Sequence, residues 1–191
     1  MRKLIFFMHN SLDGFVAGPN GEMNWIKIDE EIFDFVGTMT DTADTALYGR
    51  VTYEMMQAYW PTAGDKPNAS KHDKEHSQWY NRVSKIVLSK TMSEEGLDKT
   101  TVISDQLADN IHKIKKQEGR NILIFGSPAA SQALLHQGLI DEFWLFVNPI
   151  LLGKGMPLFH NIPEITKLHF MESKTFGCGV IALHYGKVEI Q

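Results

Sequence analysis

The chain of 191 residues is 43% hydrophobic and 22% charged, an ordinary globular composition and long enough to bury one sizeable core. Its 19 Lys and Arg against 23 Asp and Glu leave a formal net charge of -4, so no surplus of positive charge is available for a phosphate backbone and nucleic acid is not an expected partner. No stretch approaches the ~18 uninterrupted apolar residues of a membrane span, and Cys178, the only cysteine, excludes an intrachain disulfide and points to the cytoplasm.

The first predicted element is a strand, Leu4–Met8, behind Arg2 and Lys3; His9 and Asn10 end the run before it reaches the length of an export signal. Leu47-Tyr48-Gly49 closes a second apolar run, and a helical pattern begins at once at Arg50. Pro61–Ser70, rich in Pro, Gly, Asn and Asp, reads as a loop too short to separate folding units, so a single domain over residues 1–191 is expected. His72-Asp73-Lys74-Glu75-His76 has the spacing of an inverted zinc-protease motif, but its charged surroundings favour a solvated helix, and no metal is expected. Ile86–Leu88 and Ile122–Phe125 read as strands buried on both faces of a partly parallel sheet.

Leu107, Ile111 and Ile114 share one helix face, with Ser104 or Asp105 as N-cap and Gly119 just past the end. The next helix has Ser127 as its cap, Pro128 in its first turn, Ala133 and Leu134 facing inward and Gly138 as its stop. Beyond Gly138, Asp141–Val147, Leu168–Ser173 and Val180–Ile190 read as strands with no long helix between them, an antiparallel edge to the sheet. Phe143, Trp144 and Phe146 on the first of these suit either a core or a dimer interface.

Chemistry is concentrated at strand-to-helix junctions, because a helix N-terminus offers free N–H groups and the positive end of its dipole to an anion. At the first, Gly49 would let a phosphate approach the backbone, Arg50 would pair with it and Thr52 would add a hydroxyl; a tight turn with a solvated arginine fits the same residues. Gly126-Ser127-Pro128-Ala129 is a second such junction, with an efficient cap and small packing residues as its plainer account. Ser89-Lys90-Thr91 has the hydroxyls and ammonium to hold the 2′-phosphate of NADPH, or is a surface turn. Gly153-Lys154-Gly155 starts like a dinucleotide fingerprint, but Leu158 stands where its last glycine belongs and Pro157 opposes an immediate helix. No serine lies in a nucleophile elbow, and Cys178 has no obvious histidine partner nearby, so covalent catalysis is not indicated.

Taken in order, Ser11-Leu12-Asp13-Gly14 with Ala17 and Trp25, then Gly49-Arg50 with Thr52-Tyr53-Glu54, then Gly126-Ser127, Gly138–Glu142 and Pro149–Gly155 before Pro157-Leu158-Phe159, resemble the dihydrofolate reductase-like superfamily. The nearest likeness is to the C-terminal reductase domain of riboflavin-biosynthesis deaminase-reductases. The resemblance implies an α/β, three-layer αβα fold whose mixed, mainly parallel sheet has antiparallel C-terminal strands, with NADPH across the carboxyl ends of the strands. It assigns Gly49, Arg50, Thr52, Gly126 and Gly153 to the cofactor, Ser89 and Lys90 to the adenosine phosphate, and Ser127, Pro128, Ala129 and Ala130 to the pyrophosphate. Ala17 belongs by the same likeness near the nicotinamide, and Asn10, Asp13 and Trp25 on the substrate side. Two departures from riboflavin-pathway reductases stand out: Phe125 replaces an acidic residue before the glycine, and Val51–Met56 replaces an acidic-proline run with a later arginine. Dihydrofolate reductases carry a carboxylate a few residues after their tryptophan, near Asp29 or Glu30 here.

The implied reaction is hydride transfer from NADPH to a small heterocycle: a pterin, a folate, or a pyrimidine flavin precursor of the 5-amino-6-(5-phosphoribosylamino)uracil kind. Asp13 and Asp29 are the proton-donor candidates, since a carboxyl beside apolar Trp25 is expected to have its pKa raised toward neutrality; Asp13-Gly14 reads equally as an ordinary turn. A nucleotide-binding module of the same fold without turnover is the alternative. A zinc protease built on His72 and His76 is a third class, which predicts bound metal. The resemblance also implies a homodimer.

Overall fold

The computed structural model describes residues 1–188. In chain order its elements are β1 (Leu4–Ser11), β2 (Phe15–Ala17), α1 (Glu30–Asp41), β3 (Ala43–Gly49), α2 (Arg50–Ala63), α3 (Lys71–Arg82), β4 (Ser84–Leu88), β5 (Thr100–Ile103), α4 (Leu107–Lys116), β6 (Asn121–Phe125), α5 (Pro128–His136), β7 (Glu142–Asn148), β8 (Met156–Pro157), β9 (Leu168–Thr175) and β10 (Ile181–Lys187). Eight of these strands make one sheet in the order β5-β4-β3-β6-β1-β7-β10-β9. Every pair from β5 to β7 is parallel, and β10 and β9 add antiparallel pairs at one side.

Strand alternation explains the three layers. Leu4, Phe6, Ile122 and Ile124 pack with Ile111 of α4 and Leu134 of α5, while Ile5, Leu123 and Phe125 pack with Ile32 of α1, Tyr53 of α2 and Trp79 of α3. Strands covered on both sides must be apolar at every position, which is why these runs show no polar alternation. Phe143, Trp144 and Phe146 are all buried in this core, so the dimer-interface use considered for them is set aside.

Four local expectations change. Ser104 and Asp105 do not cap α4; Gln106 takes the N-cap position in a left-handed conformation with no side-chain cap. Helix α2 continues through Pro61 and ends at Ala63; only its last turn lies beyond the proline, so little of the hydrogen-bond ladder is lost. Helix α3 is only half solvated, because His76, Ser77, Trp79 and Tyr80 are buried beneath its charged face. The strand expected over Val180–Ile190 runs Ile181–Lys187, and Glu189 and Ile190 lie outside the described residues. Among the described residues no helix is long and apolar enough to cross a membrane.

Candidate functional site

The four neighbouring parallel strands β5, β4, β3 and β6 all end on the same side of the sheet, at Ile103, Leu88, Gly49 and Phe125. Over these ends opens a cleft of about 770 Å³. The expected cofactor residues Gly49, Arg50, Thr52, Ser89, Lys90, Ser127, Pro128, Ala129 and Ala130 all line it. Residues some 80 positions apart meet because parallel connections return each strand to the same end.

Ser127 fastens two junctions together. Its Oγ accepts from the Gly49 N–H at 2.6 Å and donates to Thr52 Oγ1 at 2.7 Å, so it does not cap its own helix as expected. Gly126 (φ 56°) and Ser127 (φ 58°) are both left-handed, which a glycine accepts freely and a serine at a cost of roughly 1–2 kcal/mol. A Cβ on Gly49 would stand 2.9 Å from that Ser127 oxygen, so the close approach of the two turns requires glycine.

Helices α2, α4 and α5 all begin at this cleft, and none has a side-chain cap. Their first-turn N–H groups therefore lack the partners that Asp29 gives α1 and Ser70 gives α3. Two cations stand beside them: Arg50, paired with Glu54 at 2.8 Å and largely exposed, and Lys90, which is exposed. The Ser89 hydroxyl accepts from the N–H groups of Thr91 and Met92, closing the turn that presents Lys90. The arrangement suits a long polyanionic ligand lying along the strand ends.

The other predicted residues do not line this cleft. Gly126 lies behind Ser127 at the end of β6. Ala17 is buried in β2 and pairs with Met156, which does line the cleft; a side chain at Gly155 would run into the Ala17 carbonyl. Gly153 donates its N–H to Asp13 at 2.7 Å, and Leu152 adds a second bond at 3.1 Å. With the Ser11 hydroxyl as the leading cause, helped by these backbone donors, the Asp13 carboxyl is held below its ordinary value. Asp29 is held down in the same sense, first by the Ile32 N–H it caps. The expected upward shift of both carboxyls is thus reversed, because Asp13 is exposed, Asp29 only half-buried, and each accepts backbone hydrogen bonds.

Trp25 is half-buried and donates its indole N–H to the Glu22 carbonyl at 3.0 Å. Asn10, at the carboxyl end of β1, is buried; its Nδ2 donates to Ser11 O, and its Oδ1 is the one buried side-chain oxygen or nitrogen without a partner among the described residues. On the opposite face of β1, burial pushes His9 down to about 4 in the company of Phe7 and Phe146.

The zinc-like pair is used for packing. His72 stacks on Phe33 at 3.8 Å, and His76 lies against Trp60 and Trp79, with burial pushing it down to about 3. Among the described residues no group of three His, Cys, Asp or Glu side chains is placed to hold a metal.

Sequence reading missed the third junction. Ser104, Asp105, Gln106 and Leu107 line the cleft after β5, whose Thr100–Ile103 run was not among the expected strands. The signal was present, since a short β-branched run precedes a polar turn and a helix face, the same grammar as at Gly49 and Gly126.

Comparison with known proteins places this geometry among relatives. The family model described as the RibD C-terminal domain matches residues 2–182. An uncharacterized protein of Bacillus subtilis (strain 168), YyaP, is 31% identical over 187 residues, covering 96% of this chain and 94% of its own. A Shewanella sp. PV-4 protein provisionally assigned to riboflavin biosynthesis superposes with a TM-score of 0.74 at 25% identity, over 98% of this chain and 99% of that one. Dihydrofolate reductase from Enterococcus faecalis, solved with NADP(H), shares the fold with a TM-score of 0.62 at 15% identity, over 98% and 97% of the two chains. The fold expected from the resemblance is the fold found.

Proposed function

Because this chain belongs to the RibD C-terminal domain family, we propose that it is a reductase that binds NADPH across the carboxyl ends of β5, β4, β3 and β6 and reduces a small heterocycle. The observation that carries this reading is the meeting of three helix N-termini without side-chain caps, Arg50 and Lys90 in one cleft. Such a cleft fits a dinucleotide with its several phosphate charges.

When bound, the nicotinamide supplies the hydride, and the protein's share is binding and orientation. In this reading the N–H groups of α2 and α5 and the Arg50 guanidinium take the pyrophosphate, while Lys90 takes the 2′-phosphate. Ser127 keeps the two junctions in register through Gly49 and Thr52. The unpartnered Asn10 oxygen at the end of β1 offers an acceptor for a ligand N–H or O–H. Asp13 and Asp29 serve as acceptors, Asp13 tying the Gly153 loop to the end of β1 and Asp29 capping α1, and a water delivers the proton.

The substrate is a pterin, a folate or a pyrimidine flavin precursor. Phe125, which stands where riboflavin-pathway reductases carry an acidic residue, is buried in the core beside Tyr48, Phe7 and Trp79. A cytoplasmic setting agrees with the free thiol of Cys178. Titration with NADPH, followed by quenching of tryptophan emission, tests the reading: saturable binding weakened by Arg50→Ala supports it, and absence of binding overturns it.

A nucleotide-binding module without turnover is the second reading, favoured by the engagement of both Asp13 and Asp29 with backbone N–H groups. Consumption of NADPH with any of the three substrate classes would decide against it.

A further inference from the structure

At the outer end of the cleft the two flanking strands run in register, with Leu88 of β4 paired to Ile103 of β5 and the Ser89 N–H donating to Ile103 O at 3.1 Å. Just past that pair both chains leave the sheet, and Ser89 and Lys90 after β4 and Ser104 and Asp105 after β5 all line the cleft. Lys90 and Asp105 thus stand in the turns that follow two neighbouring strands and line the same cleft. Asp105 is exposed and belongs to no ion pair among the described residues.

The presence of unlike charges on the wall of one cleft bears on the ligand. A phosphate monoester carries nearly two negative charges and is best held by cations alone. A ribose with free 2′ and 3′ hydroxyls presents donors, for which a carboxylate is the better partner. Lys90 suits the first and Asp105 the second. Arg50 is one strand further on and already faces Glu54, so it adds little at this end.

Resting on the reductase reading above, we propose that Asp105 sets the coenzyme preference: it repels the 2′-phosphate that Lys90 attracts and accepts from the ribose hydroxyls, so that the cleft takes NADH as well as NADPH. The residue acts on binding and touches no reacting atom. Its neighbour Asp109, in the first turn of α4, has the same charge but does not line the cleft.

Dissociation constants for NADPH and NADH, measured by tryptophan quenching on the wild-type chain, Asp105→Asn, Asp109→Asn and Lys90→Ala, test this. Wild-type affinities are expected within about tenfold of each other, and Asp105→Asn is expected to shift their ratio about tenfold toward NADPH. Lys90→Ala should shift it the other way, and Asp109→Asn should leave it within about twofold. An unchanged ratio in Asp105→Asn, with both nucleotides still bound, overturns the inference and leaves the reductase reading standing. Equal shifts in Asp105→Asn and Asp109→Asn overturn it too, since the effect would then belong to the general field. If the wild-type chain binds neither nucleotide, the reductase reading fails and this inference with it.

Discussion

The two ends of the parallel strands treat polar groups in opposite ways. At the amino end, Arg2 reaches Asp44, Thr45 and the Arg120 carbonyl; Lys3 and His184 share Glu142; and Lys115 meets Asp141, which also accepts from the Leu4 N–H. Arg2, Lys115, Glu142 and His184 are buried, and every one of these groups is matched to a partner. At the carboxyl end, three helices start without caps, Asn10 keeps an unpartnered oxygen and Lys90 points into a cleft. Leaving donors unmatched costs stability, so a fold tolerates it where a ligand supplies the partner. The amino end therefore reads as the source of stability and the carboxyl end as the site of binding. Substitutions should separate the two quantities.

The largest effect is expected at the amino end. Arg2→Ala removes a guanidinium whose side chain is 7% exposed, and leaves Asp44 and the Arg120 carbonyl without it. Asp44 is 35% exposed and can recover some hydration, which argues for the lower range of a broken buried pair, about 3 kcal/mol. For a chain of this size that lowers Tm by roughly 6–12 °C. Nucleotide affinity, measured well below the new Tm, should be unchanged; a parallel loss of affinity would break the division between the ends.

Acid should destabilise the protein through histidines packed against the core. His76 has its folded value lowered from 6.5 to about 3 by burial, so the unfolded chain binds the extra proton first as pH falls. Its contribution is complete above pH 6.5 and is lost between there and about pH 3. The slope approaches about 1.4 kcal/mol per pH unit inside that window. His9, lowered to about 4, acts in the same direction over a shorter range. His76→Phe should flatten the fall of Tm between pH 6 and 4, which thermal melts across that range would reveal.

How much of this was legible in the sequence follows from what each feature needs. Strands such as Ile122–Phe125 and helix α4 announce themselves because a buried run and an apolar face are local patterns. Helix α3 was half hidden, since its charged residues outnumber the buried His76, Trp79 and Tyr80 that anchor it. The junctions at Gly49 and Gly126 were readable singly; their linkage by Ser127 depends on β3 and β6 being sheet neighbours, which no local pattern states. The lowered pKa of Asp13 was only partly within reach: its leading donor, Ser11, is two positions away, but Leu152 and Gly153 lie about 140 positions away.

At the carboxyl end, Ser127→Ala leaves the Gly49 N–H and the Thr52 hydroxyl without that partner. The expected loss is about 1–2 kcal/mol of stability, less than at Arg2. Affinity for NADPH should fall more than stability does, because the two junctions lose their common fastening. Denaturant titration beside nucleotide titration gives both numbers, and a variant that loses stability alone would show that Ser127 is only a structural clamp.

The smallest effect on stability and the clearest on binding is expected for Arg50→Ala. The side chain is 46% exposed, and its one ion pair is the surface contact with Glu54 one turn along α2. Pairs of that kind contribute about 0.3–0.5 kcal/mol, so the denaturant midpoint should barely move. A guanidinium that meets a phosphate, by contrast, makes charge-assisted hydrogen bonds of about 1.5–3 kcal/mol, which is a ten- to hundredfold loss of affinity on removal. Arg50→Lys keeps the charge but loses the forked geometry and should fall between the two. If Arg50→Ala binds NADPH as the wild-type chain does, the guanidinium is a solvated surface group. The cleft would then hold its anion through the N–H groups of α2, α4 and α5 alone, and the steep salt dependence expected of a cation-assisted site would be missing as well.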